Sequence, residues 1–553
     1  MPTLDVSKKD FEKLIGKKFS QGQLEEVLEY VKGEIDGQDG DALKVECKET
    51  NRPDLWSTEG LAREIKARIG KEKGIPSYRV NKGHVNVHID KNLETVRPFI
   101  VCAVVKDVKI DNNFIVQMVQ LQEKVGDTFG RRRKETGIGL YDFDIMHPPI
   151  YYKGFTDKQI EFVPLEWKVP LRPSEILKQH EKGKAYKHLL QGTKYYPIVI
   201  DSKDVVASMP PIINSESTGK VTEKTKNLFI EVTGFNLDIV ETALEVMCMA
   251  LADRGGKIYS CRIHFPKGKT YPKQSIYTPR FTTKSMSFDK ELVKRKTGLD
   301  LKDKEIKDLL ERARYKVKVE KKKIHIEYPN YRRDIFHAVD VIEDLLISYG
   351  YNNIVPEKVE MSVVGEESKE ARFKDFIRGG CIGLGLQEVL TYNLTSKEVQ
   401  ASKMQMPQEI EDFVEIANPV SQNYEILRKR ITPQLLQFLS RNKNQSYPQK
   451  IFEVGTALEL DGRAENGVKE TTNLCIALSG NDADFTSIKS ALMTIGKYAD
   501  LKVAVTKKDF PFFEVGAEVA VNGKRGFVGV LNRETMLSFG LKKPVAVFEF
   551  PLY

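Results

Sequence analysis

Residues 331–351 read YRRDIFHAVDVIEDLLISYGY, and the reading of this stretch decides what surrounds it. Ile335, Val339, Ile342, Leu346 and Tyr349 recur at steps of four and three, the spacing of one core-facing helical stripe. Asp340, Glu343 and Asp344 lie three and four apart, so they share the opposite face within one turn. Asp334 stands just ahead of the stripe, where a short carboxylate caps a helix by accepting its first free N–H groups. One reading is an N-cap followed by a solvated acidic face. The other is a site, because like charges in one turn repel unless a cation or a basic partner offsets them. Oxygen-only ligands at this spacing suit a hard ion such as magnesium. Spacing leaves both readings open.

With 553 residues, 41% hydrophobic and 30% charged, the chain is globular and long enough for three or four domains. The excess of 87 basic over 78 acidic residues, +9 in all, permits a nucleic-acid partner without demanding one. RRRK (131–134), KKK (321–323) and RKR (428–430) read as solvated loop ends or as phosphate contacts. The six cysteines form no C-x-x-C and the eight histidines no zinc spacing, which points to a reducing compartment without structural zinc. HVNVH (84–88) alternates, so His84 and His88 face one way on a surface strand. No secretory signal opens the sequence and no apolar run approaches about 18 residues, so a cytoplasmic protein with no membrane contact is expected.

Outward from the acidic helix, the hairpin KVKVEKKKIHIEYPNYRRD and two amphipathic helices make a small winged or helix-turn-helix-like module, placed at 269–356. Before it, β-branched strands such as FIVCAVVK alternate with a few helices in an α+β domain at 95–268. TLDV, SKKDFEKLI, a Ser-capped second helix and NRPDLWS followed by a helix form an N-terminal α+β domain at 1–94. After it, one amphipathic helix (371–385) precedes KIFEVGTALEL, TNLCIALSG, RGFVGVLN and PVAVFEF, an antiparallel-sheet domain at 357–553. The expected class is α+β, multidomain.

Three landmarks in this order, NRPDLWSTEGLAREI (51–65), PNYRRDIFHAVDVIEDLLISYGYNNI (329–354) and LRKRITPQLLQFLSRNKNQSYPQKIFEVG (427–455), resemble the β subunit of phenylalanyl-tRNA synthetase in its shorter archaeal and eukaryotic-like form. The resemblance covers essentially the whole chain. It implies that Asp334, Asp340, Glu343 and Asp344 are Mg2+ ligands at the contact with an α subunit. The family has glutamate at the last of these positions, one methylene longer than Asp344. It also implies an editing domain of B3/B4 type at 95–268, a B5-type module at 269–356 and a class II synthetase-like domain without catalytic residues at 357–553. An active class II copy needs fixed arginines on the ATP phosphates. LRKRITPQLL lacks the expected glutamate of that arginine element, and LKKPVAVFEFPLY offers no late Gly-rich arginine. ATP would then be used through the α subunit, in a heterotetramer of two α and two β chains acting on the tRNA for phenylalanine.

The chain's own chemistry is expected in editing. A pocket selective for phenylalanine rejects an isostere with one more hydroxyl by only about a hundredfold, so tyrosine leaks through. MPPIINSESTGKVTEKTKNLFIEVTGFN (209–236) clusters Asn214, Ser215, Glu216 and Thr218 where a strand gives way to a turn. Glu216, with Asn214, is the expected positioner of substrate or water, since no G-x-S-x-G elbow offers a nucleophilic serine. A polar turn with N-cap residues is the other reading. Arg131, Arg132 and Arg133 would guide the acceptor end of tRNA, or form a solvated basic loop. The expected function is a non-aminoacylating β subunit with an editing esterase domain. The alternative is an assembly and tRNA-binding scaffold with an inactive editing pocket. A self-sufficient ligase is disfavoured by the missing arginines.

Overall fold

The structure is a computed structural model that describes residues 2–361 and 363–552. The chain divides into two compact units, Met1–Glu357 and Lys358–Tyr553, each a mixture of helices and strands.

The first unit opens as its sequence signals dictate. Ser7 caps the helix Lys8–Ile15 by accepting from the Asp10 N–H, and Ser20 with Gln23 forms a capping box on Gln21–Glu29. Ala42–Cys47 lies between Thr3–Ser7 and Gly33–Asp39 in a three-stranded sheet. Gly33–Asp39 escaped the sequence reading because GEIDGQD holds two glycines and three acids, residues depleted in strands.

The main sheet has ten strands. In spatial order they are Ile213–Asn214, Val206–Met209, Tyr196–Ile200, Ile150–Phe155, Val80–Ile89, Lys257–His264, Phe99–Lys106, Leu228–Gly234 and Thr136–Asp142, with Ile276–Thr278 beside Lys257–His264. Phe99 to Val105 are all buried, as are Val240 to Leu251 of the helix Leu237–Asp253 that packs on this strand and on Leu228–Gly234. This sheet moves two expected boundaries. Val80–Ile89, read as part of 1–94, pairs parallel with Lys257–His264, and Ile276–Thr278, read as part of 269–356, pairs antiparallel with the same strand. Both pairings join segments through registers that local pattern does not carry.

In a second three-stranded sheet Lys323–Pro329 runs between Thr283–Asp289 and Lys316–Val319, and the helices Glu291–Thr297, Asp303–Arg312 and Ala338–Tyr349 bury Val293, Leu310, Ile342 and Leu345 against it. The acidic helix differs from expectation in its start and its phase. It begins at Ala338 with His337 as N-cap, and Asp340, not Asp334, accepts the backbone N–H groups of Phe336 and His337, each at 2.7 Å. Its buried positions are Val341, Ile342, Asp344, Leu345 and Ser348, while Val339 is 48% exposed. The helix is therefore turned so that one acid points inward, where arginines receive it.

In the second unit a seven-stranded sheet has the order Gln387–Glu388, Gln449–Leu460, Val468–Ser479, Val545–Pro551, Lys524–Leu531, Phe513–Val521 and Val503–Lys507. All neighbours are antiparallel except the first pair. The helices Lys369–Gly383 and Phe485–Tyr498 bury Ile377, Ile488 and Leu492 against Phe452, Leu474 and Phe548. Thr432–Arg441 buries Leu435, Leu436 and Leu439 in a second cluster with Ile451 and Ala477. Among the described residues no helix is long and apolar enough to cross a membrane.

Candidate functional site

A cavity of about 430 Å3 lies where the helix Asn112–Lys124 and the turn after Val206–Met209 meet the edge of the main sheet. Phe114, Met118, Ile138 and Leu140 give it apolar walls, and Glu231 is the buried carboxylate among its lining residues. Glu231 stands mid-strand in LFIEVTG, opposite Cys102 on one side and Gly139 on the other. Tyr141 donates its hydroxyl to Glu231 Oε1 at 2.9 Å, and Oε2 has no hydrogen-bond partner. Burial pushes the Glu231 carboxyl up to about 7, against the Tyr141 hydrogen bond and the Arg97 charge, which both favour ionisation. Glycine makes room for this pair. A Cβ on Gly139 would stand 2.1 Å from the Tyr141 hydroxyl and 2.7 Å from Glu231 Oε1, and one on Gly137 would stand 2.6 Å from Pro211 Cβ.

Asn214 joins the same group. Its amide donates to the Leu140 carbonyl at 3.2 Å, and its oxygen lies 3.5 Å from the Tyr141 hydroxyl, whose one proton goes to Glu231. Glu216 lines the same cavity with both oxygens committed, one to the Glu166 N–H at 2.8 Å and one to Lys220 at 2.9 Å. The Lys220 and Glu166 hydrogen bonds hold its carboxyl below the usual range. The fold thus brings the two expected residues together, but the carboxylate with an oxygen to spare is Glu231. An acid at the centre of an otherwise apolar strand was the signal available for it.

Arg131, Arg132 and Arg133 form a left-handed turn, with φ of 49°, 54° and 61°. Each such residue costs about 1–2 kcal/mol, and Arg133 offsets part of this by donating to the Pro211 and Ile212 carbonyls at 3.2 and 3.0 Å. Its guanidinium also lies 4.3 Å from the Tyr186 ring centre. Arg133 is thereby built into the cavity wall, whereas Arg131 and Arg132 are exposed.

The four acids of the opening stretch line a second cleft of about 160 Å3 beside NRPDLWS. Asp344 accepts from Arg68 and Arg332, each at 2.5 Å, and from the Tyr315 hydroxyl at 2.7 Å. Asp334 accepts from Arg332 at 2.6 Å with Arg52 at 3.9 Å, and Arg52 holds Asp54 through two bonds of 2.9 and 2.8 Å. Burial alone would raise the Asp344 carboxyl, but Arg332 and Arg68 hold it well below the carboxylate range. Glu343 takes Lys32 at 2.9 Å, and the same ammonium holds Glu49. In this arrangement each of the four carboxylates has a protein partner. Asp334 and Asp344 have spent their oxygens on arginine, Asp340 caps its helix and Glu343 is paired. Among the described residues no group of three or more His, Cys, Asp or Glu is set to hold a metal ion. The cations Lys32, Arg52 and Arg68 that face these acids come from a segment far away in the chain.

The model of the phenylalanyl tRNA synthetase beta chain CLM domain matches residues 354–552, and that of the tRNA synthetase B5 domain matches residues 286–351. The phenylalanine–tRNA ligase beta subunit of Pyrococcus horikoshii is 44% identical over 563 residues, covering 100% of both chains. That of Archaeoglobus fulgidus is 37% identical over 506 residues, covering 91% of this chain and 90% of the relative. The crystal structure of an N-terminal fragment of the Pyrococcus horikoshii phenylalanyl-tRNA synthetase beta subunit is 47% identical, with a TM-score of 0.60, over 63% of this chain and 100% of that one. With every landmark in place from end to end, the chain belongs to the phenylalanine–tRNA ligase beta subunit family.

Proposed function

We propose that this chain is the β subunit of a phenylalanine–tRNA ligase that works with a separate α subunit, and that its main-sheet cavity hydrolyses tyrosine mistakenly attached to the tRNA. The observation that carries the editing reading is the buried Glu231 with one unpartnered oxygen in a cavity of about 430 Å3, a size suited to one aromatic side chain. A tyrosyl ring enters between Phe114, Met118 and Leu140, and its phenol hydrogen-bonds Glu231 Oε2. Phenylalanine leaves that oxygen buried and unpaired, which is the strong form of discrimination available to a pocket.

Hydrolysis uses a water rather than a protein nucleophile. Asn214 holds the ester side, and Glu216 orders the rim by tying residues 166 and 220 together. Arg131 and Arg132 offer exposed cations to the phosphates of tRNA near its acceptor end. We assign editing to the sheet from Val80 to Thr278, the B5-type module to the residues that follow, and a scaffold role to the second unit. Exposed Ile382, Leu390 and Tyr392 of that unit, 61%, 79% and 76% accessible, support docking of the α subunit, in an assembly of two α and two β chains. ATP and Mg2+ serve aminoacylation on the α subunit, and no step is assigned to a metal in the Asp334–Asp344 cleft. The site of action is cytoplasmic.

The test has two parts. Attachment of phenylalanine should require this chain mixed with its α subunit, and hydrolysis of tyrosyl-tRNA should be lost in Glu231→Ala while phenylalanyl-tRNA stays intact. Undiminished hydrolysis in that variant would place editing elsewhere.

A further inference from the structure

The sheet of the second unit carries a cleft of about 600 Å3 that none of the chemistry above uses. Part of its lining is aromatic. Phe510, Phe512 and Phe527 stand together there, with ring centres 5.4–5.9 Å apart.

Its polar lining is set by strand register. Cys475 pairs with Glu549 and Glu549 with Phe527, which puts Asn473, Glu549, Phe527 and Arg525 on one face of three adjacent strands. The buried Glu549 has its oxygens filled by the Ile431 N–H at 2.9 Å, Asn473 Nδ2 at 2.8 Å, and the Thr432 N–H and hydroxyl at 2.9 and 2.7 Å. A carboxylate accepts only, so it fixes the Asn473 amide with its nitrogen toward Glu549 and its oxygen away. That oxygen has no partner, although Asn473 is only 7% exposed. The cleft therefore holds a buried acceptor without a donor.

The rim holds cations to spare. Lys508 pairs with Glu518 at 2.6 Å and Arg430 with Glu409 at 2.7 Å, but among the described residues Lys469, Lys524 and Arg525 carry no ion pair, against the lining acids Glu459 and Glu470, which carry none either, and Lys524 also donates to the Leu552 carbonyl at 3.5 Å. Uncommitted cations beside aromatic rings suit an anion with a flat apolar body, and the Asn473 oxygen suits a hydroxyl or amino group on it.

We propose that this cleft binds a free nucleoside phosphate, with the base against Phe510, the phosphates among Lys469, Lys524 and Arg525, and a sugar hydroxyl or base amino group donating to Asn473 Oδ1. The proposal concerns binding alone and stands apart from the editing cavity. It gives the scaffold domain a ligand.

The experiment photolabels the assembled α/β complex with 8-azido-ADP, separates the subunits and maps the labelled peptides. Label is expected on β-chain peptides within 508–531, displaced by unlabelled ADP and reduced by about tenfold or more in Lys469→Ala/Arg525→Ala. Phe510→Ala should lower it as well while leaving phosphate contacts in place. Label confined to the α subunit, label on β that the variants do not lower, or displacement by tRNA but not by ADP would each overturn the proposal.

Discussion

Glu231 shows how much one side chain's surroundings decide. An acid in a strand is ordinarily solvated, but this one sits between Cys102 and Gly139 in the middle of the sheet, with its carboxyl raised to about 7 by burial. Glu231→Gln keeps the shape and removes the titration, so hydrolysis of tyrosyl-tRNA by the wild type should change with a midpoint near the 7 of this carboxyl, and the variant's profile should be flat there. Gly139→Ala forces a methyl group onto the Tyr141 hydroxyl and should lower unfolding free energy by about 1–3 kcal/mol, read from urea melts. Little of this was legible beforehand. Asn214 and Glu216, which line the cavity, were expected there because they sit in a turn rich in polar residues, whereas the tyrosine, the glycine and the glutamate beside them come from strands, where local pattern says only which face is buried.

The acidic helix makes the same point one level up. Its periodicity was readable, since apolar residues three and four apart force a helix, but its rotation was not. Val339 and Asp344 exchanged their expected places because three partners, Arg68, Arg332 and Tyr315, gather on Asp344, with Arg68 also donating to the Ser348 hydroxyl of the same helix. The three acids of one turn therefore differ sharply in what they do. Asp340→Ala should cost about 1 kcal/mol as a lost cap. Asp344→Ala takes one of two carboxylate partners from each of two buried arginines and should cost about 3 kcal/mol, while Glu343→Ala, at the surface, should be nearly silent. Chemical denaturation of the three variants gives this ranking, and equal losses would return the acids to a common solvated face. The cap at Ser20, by contrast, was visible in the sequence because capping is a matter of immediate neighbours.

For the molecule as a whole, the order of landmarks was legible and the long-range joins were not. Its pH response follows from buried acids of two kinds. Glu231 and Glu245 are raised by burial from 4.5 to about 7 and 8, so the folded chain keeps those protons longer than the unfolded chain does. Their contribution is fully present below the unfolded value of 4.5 and declines as pH rises through 7 and 8. Asp334, Asp344 and Glu64 are shifted the other way, so what they add is present above their unfolded values and lost in acid. Thermal stability should therefore peak near about pH 5 and fall toward pH 8, with Glu245→Gln flattening the alkaline slope, as calorimetry across that range would record. The second unit's exposed Tyr392 leads to a further outcome: Tyr392→Glu should weaken α-subunit association by about tenfold in sedimentation while this chain stays folded. The arginine network also has a meaning for how the protein is made. Arg68 meets Asp344 across 276 residues of chain, and at about 5–20 residues per second the ribosome delivers the second partner roughly 15–55 s after the first. Until then Arg52 and Arg68 have only their local acids, Asp54 and Glu64, to close upon. Biogenesis of the first unit therefore ends with the synthesis of one short helix, and a message broken before that codon yields a nascent chain that stays open to proteases.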